Sequence, residues 1–390
     1  MQPNYLGILE EELVAKGAVH TAKEIACQPE LWTKTYDVIE KNYDNIKDFL
    51  KRVYLQKDLQ IVLTGAGSSA FVGEVLEGVF QKYAGIKTSA IATTDLVTHP
   101  DYLLNCSGSI LLISFARSGN SPESVKAVEL VNHFCKNIFH LVITCNPEGE
   151  LVKNASKDNT YILYMPPEAD DKSLAMTGSF TAMLLSGLLI ARIDELKKLK
   201  AQVHSLSEYG KNIITKYTPE LKVVSELDFK RAIFLGSGIF RGVARESHLK
   251  LQELTDGNVI CKHDSFLGFR HGPKAVINED TLIVYLFSNN DYVLQYEKDL
   301  VHSVNHGRKT LYSIGIMEHD IKDVNFDLRI PLSYNSVSID ETFLTIASVL
   351  PAQILGFFKS LGLGLKPDTP SESGMITRVV QGVTTYPFEM

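Results

Sequence analysis

Short apolar strands alternate with helical segments along this chain, and the alternation occurs twice. The first series is Gln60–Gly65, Lys87–Ala92, Ser109–Ser114, Phe139–Thr144 and Thr160–Tyr164, with helical patterns such as Val125, Val128, Val131 and Phe134 between strands. The second is Lys230–Gly236, Val259–Cys261, Thr281–Phe287, Lys309–Ile314 and Phe326–Ile330. Strands apolar on both faces and separated by helices predict parallel sheets covered on both sides, an α/β fold. Gly65-Ala66-Gly67 and Gly236-Ser237-Gly238 each follow the first strand of a series and open a helix. The apolar helices Phe180–Ile193 and Phe343–Phe358 take matching places. The chain therefore reads as an internal duplication of one α/β unit. Its 390 residues leave room for two cores. Thr33, Tyr36, Ile39, Tyr43, Ile46, Phe49 and Leu50 recur at helical spacing ahead of the first series. The expected divisions are N-terminal helices over 1–54, a first domain over 55–205, a second over 215–364 and an irregular tail over 365–390.

Several turns in this scheme carry reactive or ligand-binding chemistry. Ile110–Ser124 runs from an apolar strand into a hydroxyl-rich turn and then a helix start. Ser121 suits the N-cap, Pro122 the first helical position and Glu123 the positive end. A helix N-terminus presents unpaired N–H groups and about half a positive charge. Arg117, Ser118 and Gly119 lie just before it, so the turn fits a phosphate monoester; an ordinary capped helix is the plainer alternative. Gly65-Ala-Gly-Ser-Ser69 also matches the start of a dinucleotide fingerprint, with Ala70 in place of the third glycine and Asp95 near the expected acid. Two hydroxyl-rich turns at the carboxyl edge of one parallel sheet suit a single phosphate better than a dinucleotide.

The second copy, Gly236-Ser-Gly-Ile-Phe240, lacks the serine pair, and its phosphate capacity reads as degraded. Its helix is charged instead. Glu246, Lys250 and Glu253 share one stripe beside the apolar Val243, Leu251 and Leu254. Partial desolvation there raises a carboxylate pKa toward that of a working base, and a neighbouring lysine lowers it again. A solvated, ion-paired helix face has the same spacing. His271 lies in a loop between Gly268 and Gly272-Pro273, where a ring of near-neutral pKa can meet a ligand or only solvent. No His-x-x-x-His pair with a suitable acid occurs, and neither a metal nor a cofactor is expected.

The net charge of −7 speaks against general nucleic-acid binding. Cys27, Cys106, Cys135, Cys145 and Cys261 are odd in number and scattered, so neither a disulfide framework nor a zinc knuckle is expected, which fits a reducing compartment. Met1–Glu12 carries acids and lacks a basic start followed by an apolar block, and Phe180–Ile193 is too short to span a bilayer. A cytoplasmic location with no membrane partner is expected.

Together these residues resemble the sugar-isomerase (SIS) family, in particular its double-domain members, the isomerase half of glucosamine-6-phosphate synthase and the AgaS-type proteins of amino-sugar catabolism. The likeness covers nearly all of the chain after the N-terminal helices. Glu246-Ser-His-Leu-Lys-Leu-Gln-Glu253 is similar to the synthase's Glu-Gly-Ala-Leu-Lys-Leu-Lys-Glu, and Arg270-His-Gly-Pro273 to its Lys-His-Gly-Pro. Ser114–Ser121 resembles its phosphate loop and Gly67-Ser-Ser69 its Gly-Thr-Ser. Ser173–Thr181, the long tail and the overall length look closest to AgaS-type tagatose-6-phosphate ketose/aldose isomerases or galactosamine-6-phosphate deaminases.

The resemblance implies two tandem SIS domains and a role for each motif. Ser69, Ser118 and Ser121 would bind the sugar phosphate, and Arg117, where the synthase has a neutral Gln, would strengthen anion binding. Glu253 would move a proton between C1 and C2. His271, given by a neighbouring subunit, would open the sugar ring, so a homodimer or higher homo-oligomer is implied. Lys250 and Glu246 would hold the charge balance, and the tail would close over the ligand. The synthase uses a tail lysine to form a Schiff base with the ketose. Aligning Asp368-Thr-Pro370 with its Asp-Gln-Pro puts Met375 at that lysine, and the nearby Arg378 cannot form an imine at neutral pH. An amino sugar does not require one, because it can isomerise through its own enamine.

With no glutaminase domain and no Cys at residue 1 or 2, the catabolic direction is expected: a hexosamine 6-phosphate, galactosamine 6-phosphate by resemblance, gives tagatose 6-phosphate and ammonia. The alternatives are an aldose–ketose isomerase that releases no ammonia and a non-catalytic phosphosugar sensor. The sensor would ordinarily carry a basic recognition helix, which the N-terminal helices lack.

Overall fold

The computed structural model describes residues 3–104, 106–333, 335–380 and 382–388. Met1 and Gln2 of the expected N-terminal region, and Gln381, Glu389 and Met390 of the expected tail, lie outside the described residues. The chain forms two compact units, one of Leu31–Asp171, Gly178–Lys200 and Ile376–Met390, the other of Met1–Glu30, Lys172–Thr177 and Ala201–Met375. The second unit opens with an antiparallel hairpin, β1 (Asn4–Tyr5) and β2 (Ile8–Leu9), too short to leave a strand pattern in the sequence.

The first unit holds a five-stranded parallel sheet: β3 (Gln60–Thr64), β4 (Thr88–Ala90), β5 (Ile110–Ala116), β6 (Ile138–Thr144) and β7 (Thr160–Tyr164), ordered β4-β3-β5-β6-β7. β5 is central, and all seven of its residues are buried, which is why Ile-Leu-Leu-Ile-Ser-Phe-Ala shows no polar alternation. Every residue of the helix Gly178–Ala191 is buried. It packs against the helix Ser68–Ala84, and a Cβ at Gly187 would lie 2.2 Å from Leu76 Cδ1, so glycine permits this approach.

The other unit repeats the plan. β8 (Arg231–Gly236), β9 (Ile260–Asp264), β10 (Thr281–Leu286), β11 (Tyr312–Met317) and β12 (Leu328–Pro331) are all parallel and ordered β12-β11-β10-β8-β9. Matched in chain order, this is the arrangement of the first sheet, so the duplication extends to topology. The glycine turns match in detail. A Cβ at Gly65 would lie 2.6 Å from Ser69, and one at Gly236 2.4 Å from the Phe240 carbonyl oxygen. Gly67 and Gly238 both have left-handed backbones, φ 57° and 54°.

Some features differ from the sequence expectations. The second apolar helix is two, Glu341–Ala347 and Leu350–Gly362, with Pro351 in the first turn of the latter, where its missing N–H costs nothing. The stretch Glu341–Gly362 is long and apolar enough to cross a membrane, yet 94 % of its apolar 18-residue window is buried within the protein. Where the sequence shows charge, Leu196–Asn212 and Thr218–Ser225 are helices joined by a π-helical turn, Ile213–Tyr217. Leu196, Leu199, Val203, Leu206, Tyr209 and Ile213 form their buried stripe, a signal the charged residues between them obscured.

Cys106 and Cys135 are joined, with Cα atoms 4.8 Å apart, which corrects the expectation of no disulfide. In a β-α-β unit the helix runs back against its strand. The residues before β5 and those after the helix Pro122–Phe134 therefore reach the same end of the sheet, a proximity that scattered spacing does not reveal.

Glu297, on the helix Asp291–Asn305, is wholly buried, and one oxygen accepts from Ser288 N at 3.0 Å. Burial pushes its pKa up to about 8, and Glu341 adds to the rise. Burial also lowers His140, His248 and His263 to about 4. A carboxyl raised on folding stabilises the protein below its unfolded pKa and loses that contribution as pH climbs through 8. The histidines act oppositely, losing stability as pH falls from 6.5 toward 4. Between pH 6.5 and 8 Glu297 is the one of these four whose contribution falls as pH rises, while the histidines add a smaller gain. Glu297→Gln is expected to remove about 2 kcal/mol of the stability decline over that interval, measured by urea unfolding at both pH values. An unchanged decline in the variant contradicts this.

Candidate active site

In the first unit the site residues gather at the carboxyl edge of the sheet. Ser68 and Ser69 begin the helix after the β3 turn and are almost fully buried. β5 delivers Arg117, also buried, and Ser118 to the same edge. Ser121 stands at the N-cap of Pro122–Phe134 with extended backbone, φ −61° and ψ 124°, and Pro122 is at the helix start as expected. Its hydroxyl makes no capping bond, so the position is as expected but the side-chain cap is not.

The loop is braced by residues whose part the sequence did not show. Asn146 Nδ2 donates to the Ser118 carbonyl at 2.7 Å, and Leu151 N to that of Gly119 at 3.1 Å. Glu150 N donates to Asn120 Oδ1 at 2.9 Å. Gly119, at φ 66°, allows the tight turn. The only trace of this brace in the sequence is an Asn-Pro dipeptide after β6, an ordinary turn signal.

The end of the chain enters the same unit. Arg117 Nη2 donates to the Arg378 carbonyl at 2.6 Å. Arg378 in turn donates from Nε to the Asp171 carbonyl at 2.8 Å and from Nη2 to Asp170 Oδ1 at 2.6 Å. Asp171 is buried and caps Gly178–Ala191, accepting from Gly178 N at 3.1 Å and Ser179 N at 2.8 Å. The tail is thus tied to the guanidinium beside the hydroxyl loop and to the start of the most buried helix. Asp170 and Asp171 were missed because nothing in their local pattern points to a residue more than 200 positions away.

In the second unit, the helix Phe240–Leu254 carries the charged stripe. Lys250 Nζ lies 3.4 Å from Glu246 Oε1 and 2.5 Å from Glu253 Oε2. The side chains of Glu246 and Lys250 are 0 % and 1 % exposed, whereas that of Glu253 is 23 % exposed. The stripe is therefore not a solvated face: two members are sealed in, and Glu253 is the end that reaches solvent. Lys250 holds one positive charge between two carboxylates.

His271 is exposed in the turn after the short helix Phe266–Phe269, and Gly272 beside it has φ 112°. On the same charged helix, His248 stacks on His263 of β9 with centroids 4.7 Å apart. Among the described residues no group of three His, Cys, Asp or Glu could hold a metal ion.

Two sheets of one order, with a hydroxyl-and-guanidinium loop on the first and a Glu-Lys-Glu stripe on the second, define a class: residues 54–193 match the SIS domain family. The D-galactosamine-6-phosphate deaminase AgaS of Shewanella sp. (strain ANA-3) is 38 % identical over 384 residues, 97 % of this chain and 94 % of that protein. A tagatose-6-phosphate ketose/aldose isomerase from Escherichia coli superposes with a TM-score of 0.87 at 35 % identity, covering 95 % of this chain and 97 % of that one. A Clostridium novyi NT structure does so with a TM-score of 0.95 at 41 % identity over 100 % of both. The chain belongs to the AgaS family of SIS-domain proteins.

Proposed function

We propose that this protein is an amino-sugar phosphate deaminase/isomerase that converts galactosamine 6-phosphate and water to tagatose 6-phosphate and ammonia. The observation that carries this is the 38 % identity to a D-galactosamine-6-phosphate deaminase along 97 % of the chain, in a protein whose own residues supply both an anion cradle and a half-buried acid.

In this reading Ser69, Ser118, Ser121 and Arg117 hold the phosphate of the open-chain sugar. Glu253 takes the proton from C2 and returns one at C1. The resulting C2 imine adds water and expels ammonia, so no protein-bound imine is needed and Met375 at the synthase's lysine position is no obstacle. Lys250 places its ammonium 2.5 Å from Glu253 and orients that carboxylate, while Glu246 balances the lysine. His271, from a neighbouring copy of the chain, opens the ring by protonating the ring oxygen as the C1–O bond breaks and the anomeric hydroxyl releases its proton to water, which makes the active form at least a homodimer. The cytoplasm is the compartment proposed.

Arg378 fastens the tail over the cradle. Arg378→Ala is expected to raise KM about tenfold, the worth of one charge-assisted hydrogen bond, with a smaller change in kcat. Steady-state kinetics with galactosamine 6-phosphate test this, and an unaltered KM contradicts it.

A second reading, interconversion of tagatose 6-phosphate with its aldose and no ammonia, is favoured by the likeness to the Escherichia coli ketose/aldose isomerase structure. One experiment separates the two. Purified protein is given galactosamine 6-phosphate, and ammonia and tagatose 6-phosphate are measured together. Equal amounts of both support deamination. Turnover of tagatose 6-phosphate alone, without ammonia from the amino sugar, supports the isomerase.

A further inference from the structure

A cavity of about 440 Å3 opens beside the His271 loop, lined by Arg270, Gly272, Lys274, Ser303, Gly307 and Arg308 among others. Its volume falls in the range of small-molecule sites. The loop after β9 supplies three of these residues, and the end of the helix Asp291–Asn305 with the turn beyond it supplies the rest.

Three cations face this one space in a chain whose net charge is −7. Lys274 Nζ donates to Ser303 Oγ at 2.9 Å, which fixes its ammonium at the wall. Among the described residues none of the three cations has a carboxylate at ion-pair distance. Acids of neighbouring elements are committed elsewhere: Asp264 lies 3.5 Å from Lys262, Asp323 2.5 Å from Lys298, and Asp327 accepts from Ser313 N at 2.8 Å. The helix C-terminus adds about half a negative charge, too little to balance three full positive ones. Gly307 N already donates to the Val304 carbonyl at 2.9 Å, so the helix end is partly closed by the chain itself. Gly272 presents no Cβ, and a Cβ placed there would meet only open space.

We propose that this cavity is a second anion-binding site, separate from the Ser118 cradle, that takes a compact ligand bearing a phosphate or diphosphate group. Arg270 and Arg308 offer forked donors that match phosphoryl oxygens two at a time, and Lys274 adds a point charge. Because Arg270 and Gly272 flank His271, an occupant touches the loop that presents the histidine. This site does not depend on the proposed reaction, since none of its residues is assigned to the sugar.

The test is isothermal titration of the full-length protein with inorganic pyrophosphate. Wild type is expected to bind it, and Arg308→Glu to bind it at least tenfold more weakly. Lys274→Gln should weaken it in the same direction, and thermal melting checks that both variants are folded. Arg117→Ala is expected to retain the binding. Binding lost in Arg117→Ala but kept in Arg308→Glu assigns the signal to the cradle and overturns the inference, as does a wild type that binds no pyrophosphate. Neither result bears on ammonia release, which tests the proposed function by itself.

Discussion

Replacing Glu253 with glutamine is expected to lower kcat for ammonia release by about 10²- to 10⁴-fold, the usual worth of a positioned general base. The amide keeps the size of the side chain and an oxygen to accept from Lys250, now 2.5 Å from Glu253 Oε2, but has no basic site for the C2 proton. The dissociation constant for galactosamine 6-phosphate should change only a few-fold, because the phosphate is assigned to Ser69, Ser118, Ser121 and Arg117. Single-turnover kinetics with an equilibrium titration separate the two effects. Full activity in the variant removes Glu253 from the mechanism, and a loss confined to affinity makes it a binding residue instead.

The second large effect concerns stability. Lys250→Met should destabilise the fold by about 3–5 kcal/mol, the cost of stripping one partner from a buried ion pair. Lys250 is enclosed and sits 3.4 Å from Glu246, itself 0 % exposed, so the variant leaves that carboxylate without its positive neighbour. Glu246→Gln alone should cost less, because the lysine keeps Glu253. The double variant Glu246→Gln/Lys250→Met should recover part of the lysine loss, and that non-additivity marks direct coupling. Denaturant unfolding of the four proteins measures it. Additive losses would mean that the two side chains act independently.

The sheets were legible because a strand buried on both faces must be apolar at every position; Ile110–Ala116 can hardly be anything else. The duplication was legible because the same tight turn recurs, with Gly65 and Gly236 each pressed against the residue four places on. The charged stripe was visible as spacing, but its burial was not. Identical letters serve a wet face, and only the fold decides that Glu246 and Lys250 are sealed while Glu253 is not. What stayed hidden depends on distant contacts. Arg378 reaching Asp170 and Asp171, Asn146 holding Ser118, and Cys106 meeting Cys135 all join segments through topology rather than local pattern. The hydroxyl of Ser121 shows the converse case. Its place at the helix start was plain, yet its side chain does not cap the helix and remains suited to another acceptor or donor.

The most direct trial is a crystal structure of the Glu253→Gln variant with galactosamine 6-phosphate bound. The expected result has the phosphate oxygens within hydrogen-bond reach of Ser69, Arg117, Ser118 and Ser121, and C2 facing the side chain at position 253 of the same or a neighbouring chain. A sugar phosphate seated away from those hydroxyls, or with C2 turned from every copy of residue 253, contradicts the account.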